Sequence, residues 1–439
     1  ASVMKESAYD LLCAVLLGLG NFCLFLGFDT QLTIAEPVLR SVHDRAPERI
    51  DMHAGYNGAA ACTVVLMLFS MTAPWTLAII GSKRSILLGS TLFTVHLCSF
   101  LYVHYVPYYV TAAGIGIGHV LFQSGVGAYT TEHSTAATIG RNSALSYSLA
   151  TSGLMAGGLA ILLTSRPSDA VLNFANATSS EAGKSYRQYA DSEIRLMYGA
   201  FAALGVVANV IFAAMPARAV ERSLAAVNDP TTRTVRLDEQ LKSVLTTMTE
   251  PRMLQAAPVF MFLGLTASCW MSIYPATLIY SKRLSEHAHL QAYFIMGLGA
   301  GEALSGLSME RVMPTSRTEG CVLEFEIRVA VSSFHTLSRL SDRPFDATHS
   351  PTDASTLLIE PCMGVSILIA VLLGMSDCAL VSSRTVLCSL LIPEKISQVF
   401  CISKIHQVVW QASTVILFLS SFISMPMHFA LNISFGIIA

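Results

Sequence analysis

The chain predicts an all-helical protein that crosses a membrane about twelve times, and three observations carry that prediction. Charged residues make up only 13% of its 439 residues, against about 25% in soluble domains. Hydrophobic residues make up 53%, mean hydropathy is +0.56, and the apolar residues gather into runs of about 20, the length that crosses a hydrocarbon core as a helix. A long polar stretch, Pro216 to Arg252, divides those runs into six and six.

The first run, about Tyr9 to Ile34, has no basic leader with a small-residue cleavage site and contains Asp29. It reads as a retained span rather than a signal peptide. Runs near 55 to 80, 85 to 106, 108 to 131, 143 to 164 and 194 to 215 complete an N-terminal half, residues 1–216. Residues 217–252 read as a cytoplasmic linker, and runs near 254 to 280, 291 to 309, 321 to 338, 361 to 392, 398 to 423 and 426 to 439 form a C-terminal half, 253–439. Two of these are irregular. Glu324, Glu326 and Arg328 interrupt the ninth, and the twelfth holds 14 residues, fewer than the roughly 20 a crossing needs.

With the N-terminus cytoplasmic, basic residues in inward loops outnumber those in outward loops by roughly thirteen to nine, a moderate bias for that orientation. The acceptor Asn176-Ala-Thr178 then falls in an outward loop and predicts a glycoprotein. The net charge of -2 and a pI near 6.7 leave no basic footprint for nucleic acid. The ten cysteines lie mostly inside apolar runs and form no CxxC pair, so they read as buried thiols rather than a disulfide frame or metal site. His96, His119, His406 and His428 lack ligand spacing and read as core histidines. No nucleophile elbow, paired-carboxylate site or cofactor fingerprint occurs, so the chain predicts no enzyme, no cofactor and no metal.

The halves echo each other faintly: Gly116-x-Gly118-His119 in the fourth run, Gly374-x-Ser376-Asp377 in the tenth. Longer motifs point further. Gly55-Tyr56, Phe69-Ser70-x-x-Ala73-Pro74 and Gly81-x-x-Arg84-x-x-x-x-Leu88-Gly89 resemble the second span and following loop of the uncoordinated-ninety-three family, a branch of the major facilitator superfamily. The fourth span adds Gly114-x-Gly116-x-Gly118, Gln123, Gly127-x-Tyr129-x-Thr131-Glu132-x-Ser134 and Ile139-Gly140-Arg141-Asn142-Ser143. In the second half Glu250-Pro251-Arg252-Met253, Trp270, Tyr274-Pro275, Leu373-Gly374-x-x-Asp377 and Phe400-x-x-x-Lys404-x-x-Gln407 are similar to its seventh, tenth and eleventh spans. Two features depart from the pattern: Asp29 stands where the family tends to have an uncharged residue, and the loop after the second run lacks the acidic residue of ordinary facilitator transporters.

The resemblance implies a major facilitator fold with a solute site between the halves. It also implies a non-enzymatic accessory or regulatory role, since relatives regulate a two-pore-domain potassium channel or escort Toll-like receptors through endomembranes. The alternative is a secondary transporter of a small solute or ion. The two differ in the cavity: a transporter needs a continuous polar one, whereas an accessory subunit can fill it with apolar side chains. Location is a plasma membrane or endomembrane.

An ionisable group inside a span costs about 2.5 to 3.5 kcal/mol on insertion scales, so each needs a partner, water or a function. Asp29 and Asp377 are therefore candidates for a cation or proton site, or for structural pairs with a neighbouring Arg. Gln123, Trp270 and Tyr274 join them as candidate solute contacts, the two aromatics also reading as packing. Glu302 follows Gly297-x-Gly299-x-Gly301, a run that reads as close helix packing. Glu132, Arg141, Asn142, Arg384 and Lys404 read as a polar cluster at cytoplasmic helix ends. Glu324, Glu326 and Arg328 on a nominally lipid-facing run predict either a displaced segment or a face covered by an integral-membrane partner, channel-like or receptor-like, on the C-terminal half; lipids are the other expected contact.

Overall fold

The computed structural model describes residues 2–135, 138–164, 188–220, 223, 236–275, 278, 289–312 and 362–419. Among them the regular structure is entirely helical. Among the described residues seven helices are long and apolar enough to cross a membrane, eight when one bent pair counts as a span. The protein is an integral membrane protein. The runs near 321 to 338 and 426 to 439, Asn176, and Glu324, Glu326 and Arg328 lie outside the described residues.

Helix α1 (Ser2–Arg45) continues past the first apolar run, its outer turns stitched by an Arg40 to Asp44 pair at 3.6 Å. The second run is broken. Helices α2 (Ala54–Ser70) and α3 (Ala73–Ile80) meet at a 73° bend, because Pro74 in the first turn of α3 has no N–H to continue the α2 ladder and disfavours helical backbone before it. Gly81, at φ 79°, then turns the chain into α4 (Ser82–Ser99), a left-handed conformation that glycine adopts without a Cβ penalty. There follow α5 (Tyr105–Glu132), α6 (Ile139–Thr164) and α7 (Asp191–Ala214).

The polar stretch between the halves holds a helix of its own, α8 (Leu237–Met248). Its buried Val244 packs with Met253, Phe260 and Ile402, so it lies against α9 (Pro251–Ser268) and α12 (Ile396–Leu419). A π-helical turn, Cys269–Ile273, extends α9, and α10 (Leu290–Val312) and α11 (Met363–Leu391) complete the described helices.

In the first half α1 packs on α6 and α7, α4 on α5 and α7, and α2 on α5; in the second, α9 packs on α11 and α12, and α10 on α11. Two main contacts join the halves, α6 with α10 and α2 with α12. At the second, the Cys401 Sγ donates to the Ser70 carbonyl at 3.1 Å. No disulfide joins the described cysteines. Phe28, Phe93 and Phe122 form an edge-to-face core inside the first half, with Phe28 and Phe93 centroids 4.5 Å apart, a geometry that adds about 0.5 to 1.5 kcal/mol per pair.

Candidate functional site

Between the halves, α1, α5, α6, α10, α11 and α12 bring ionisable side chains together. Asp29 on α1, Glu302 on α10 and Asp377 on α11 lie within electrostatic reach of one another. Tyr147 on α6 sits within reach of all three. Arg384, two turns beyond Asp377 on α11, and Lys404 on α12 also act on Asp377; two turns place Arg384 about 10 Å along the axis. Asp29, Tyr147, Arg384 and Lys404 are each surrounded by protein, yet each keeps partial contact with solvent-sized space. That combination places a partly open polar cavity between the helices that carry them.

Local packing explains why these groups meet. Gly301 lies against the Val371 carbonyl and Gly374 against the Leu298 carbonyl, with room for no side chain at either place. Backbones of α10 and α11 thus approach closely, and Glu302 is brought beside the turn that carries Asp377. The π-helical turn shifts the register of the helix face beyond α9, and from it Trp270 Nε1 donates to Asp377 Oδ1 at 2.8 Å. Arg384 Nη1 donates to Gln407 Oε1 at 2.9 Å. His119 rests edge-on against Phe28 and Phe93, centroids at 5.5 and 4.7 Å, and lies within reach of the Lys404 charge.

Each residue singled out from the sequence has a definite place. Asp29, Asp377 and Trp270 share the cavity. Tyr274 is fully buried against Phe294, centroids 5.6 Å apart. Gln123, one turn beyond His119, is exposed and makes no hydrogen bond to another described residue. Arg384 and Lys404 are not at the helix ends with Glu132, Arg141 and Asn142: the sequence grouping is corrected here, because both sit turns inside their helices beside Asp377. Glu302, Tyr147, His119 and Gln407 belong to the cavity and were not on the sequence-derived site. Three of them carried a signal, as polar groups inside apolar runs; a tyrosine in a span carries none.

The helix-end cluster is built from the first half. Ser82 Oγ donates to Glu132 Oε2, tying the start of α4 to the end of α5, and the Val220 N–H donates to the Glu132 carbonyl at 3.0 Å. Arg141 reaches Asp10 of α1 at 3.4 Å and the Asn142 side-chain oxygen at 3.2 Å, and Asn142 donates to Ser134 at 3.0 Å. His133 stacks on Tyr129, centroids 3.9 Å apart, with its Nδ1 2.9 Å from the Tyr129 carbonyl.

A family model described as ion channel regulatory protein UNC-93 matches residues 46–439. The UNC93-like protein MFSD11 of Xenopus tropicalis is 24% identical over 210 residues, which cover 48% of this chain and 42% of that protein, less than half of the relative's own length. Its Xenopus laevis counterpart matches to the same extent. Among solved structures, the major facilitator transporter FucP in its outward conformation has a TM-score of 0.61 at 10% identity, covering 97% of this chain and 96% of that one. A POT family transporter in complex with 5-aminolevulinic acid has a TM-score of 0.60 at 14% identity, covering 97% and 93%. At such identities the likeness is one of fold, and the fold is that of the major facilitators.

Proposed function

Because this chain belongs to the UNC-93 family of ion channel regulatory proteins, we propose that it joins a facilitator fold to an ion-linked role, binding a small ionic solute in the cavity between its halves and moving it by alternating access. One observation carries the reading: Asp29, Glu302, Asp377, Arg384 and Lys404, drawn from both halves, gather inside the bundle, where Glu302 and Asp377 are buried and Asp29, Arg384 and Lys404 half-buried. Each such group costs about 2.5 to 3.5 kcal/mol to hold within a span. A bundle kept only as a scaffold gains nothing from that cost and is more stable with apolar side chains there.

In this reading Trp270 and Gln407 hold Asp377 and Arg384 in place, carboxylates meet the positive part of the solute, and Arg384 with Lys404 meets the negative part. The N-terminus is cytoplasmic, Asn176 is outside, and residues 1–216 and 253–439 move as the two halves. The protein in proteoliposomes, offered labelled amino acids, organic cations and organic anions under proton and sodium gradients, is expected to accumulate one of these classes. Asp377→Asn is expected to abolish the uptake. Uptake of every class equal to that of empty vesicles overturns the reading.

The family match favours a second role, regulation of an ion channel through direct contact with an integral-membrane partner. The face carrying Glu324, Glu326 and Arg328 is where such a partner would cover charge that lipid cannot. Purification in mild detergent is expected to bring a channel subunit with the intact chain and not with a variant in which those three residues are replaced by leucine.

A further inference from the structure

We propose that the rim where α4 gives way to α5 seats the headgroup of a zwitterionic phospholipid, its phosphate on Arg49 and its ammonium group between Asp51 and a shelf of tyrosines. The inference stands apart from the cavity reading above. Three spans begin or end at this rim: Ser82–Tyr102 ends at Tyr102, Tyr105–Glu132 begins at Tyr105, and Asp191–Ala214 begins at Asp191. Arg49 touches the first and the third, its guanidinium carbon 5.0 Å from the centroid of the Tyr102 ring and its Nη1 3.3 Å from Asp191 Oδ2. The rim therefore lies at the edge of the hydrocarbon, the depth at which lipid headgroups sit and interfacial tyrosines gather.

Two charges of opposite sign stand on that rim. Arg49 Nε donates to the Val103 carbonyl at 3.1 Å and Nη1 to Asp191, while Nη2 donates to no described residue and is not sealed from the surface. Asp51 is exposed, accepts the Tyr109 hydroxyl at 2.9 Å and pairs with no basic side chain among the described residues. Two residues of chain reach about 7 Å at most, so the backbone holds this base and this acid close together. Between the elements they touch lies the shelf. Tyr105 meets Tyr109 edge-on with centroids 4.9 Å apart, and Tyr102 and Tyr105 are 61% and 50% exposed.

The arrangement selects its occupant. A guanidinium takes phosphate oxygens through charge-assisted hydrogen bonds, and an ammonium group favours an aromatic face, more so with a carboxylate beside it. A headgroup carrying both phosphate and ammonium satisfies both ends of the rim. An anionic headgroup leaves Asp51 facing like charge, and an uncharged one engages neither end. Tyrosines that only anchor a span in the interface need no such pair of charges. Below the shelf Val106 and Val110, four apart on one face of α5, are 59% and 65% exposed and give the acyl chain an apolar track.

The test is the melting temperature of the purified full chain in detergent micelles doped with dioleoyl phosphatidylcholine, dioleoyl phosphatidylglycerol or dioleoylglycerol, since a lipid that binds the folded chain raises it. Phosphatidylcholine is expected to raise it by several degrees more than either of the others. Arg49→Gln is expected to abolish that difference, and Asp51→Asn and Tyr105→Leu each to reduce it. The readout is each variant's response to lipid, because Arg49→Gln also frees Asp191 and lowers stability by itself. Asp51→Asn keeps an acceptor for Tyr109 and Tyr105→Leu keeps apolar bulk, so these two decide the matter if Arg49→Gln does not fold. An equal rise with all three lipids, the result of interfacial anchoring alone, overturns the proposal. So does no response, a rise with phosphatidylglycerol that matches phosphatidylcholine, or a phosphatidylcholine response undiminished in both Asp51→Asn and Tyr105→Leu.

Discussion

Trp270 and Asp377 lie 107 positions apart in the chain and share one buried hydrogen bond of 2.8 Å, indole N–H to carboxylate. The bond turns the middle of α11 toward the π-helical turn of the second half's first helix, and it occupies one of the few oxygens in the cavity that has a donor. Because the acceptor is a carboxylate with little water beside it, this bond is among the stronger kind.

Trp270→Phe keeps an aromatic ring and removes the donor. The expected result is a loss of about 1.5 to 3 kcal/mol, read as a lower melting temperature in detergent. Asp377→Asn, which keeps an acceptor oxygen for the indole, is expected to cost less. Equal losses for the two substitutions would show that the hydrogen bond contributes nothing beyond packing.

Gly374→Val places a branched side chain against the Leu298 carbonyl, where a Cβ has no room. Helices α10 and α11 must separate, at about 1 to 3 kcal/mol for an overpacked contact. The measurable outcome is a drop in melting temperature. Gly364→Ala on the same helix, where nothing lies within 4 Å, serves as the control and is expected to be neutral.

Arg141→Ala leaves Asp10, only 3% exposed, without its guanidinium partner. The expected cost is about 1 to 3 kcal/mol for an acceptor stranded in the protein, at the low end because Arg141 itself is half exposed. Arg141→Ala combined with Asp10→Ala is expected to recover part of that loss in a thermal melt, and a double variant no more stable than Arg141→Ala would refute the pairing.

His133, in the turn after α5, is held in its neutral form by burial, which pushes its pKa below the ordinary value despite the nearby Tyr129 carbonyl. Its folded value lies under the unfolded one of about 6.5, so the unfolded chain takes up the proton first. Stability from this group is complete above that value and declines as pH falls below it toward the folded value. His133→Phe, which keeps the stack on Tyr129, is expected to shallow the decline of melting temperature between neutral and mildly acid pH. An unchanged slope would exclude His133 as its source.

Much of the architecture was legible because a membrane makes a local demand. A helix in hydrocarbon must satisfy its backbone internally and cover it with about 20 apolar residues, so α1, α4, α5, α6, α7, α9 and α11 appear where the apolar runs lie. The break at Thr72 was not legible as a bend of 73°, since Pro74 announces an interruption but the neighbours set its angle. Helix α8 hid inside a stretch whose average polarity masks one buried stripe through Val244.

The sequence by itself determined where the described spanning helices lie and which of their residues are too polar to face lipid. Only the tertiary structure decided which of those polar residues meet. Asp29 and Glu302 lie in different halves, and no periodicity along either helix says what stands opposite. Their place inside one bundle depends on α10 nesting into α11 at Gly301 and Gly374 and on α6 packing across to α10. The same packing drew Arg384 and Lys404 away from the helix ends and to the side of Asp377. Burial in lipid is a property each segment satisfies alone, whereas a charge inside the bundle is compensated by whichever helix packs beside it.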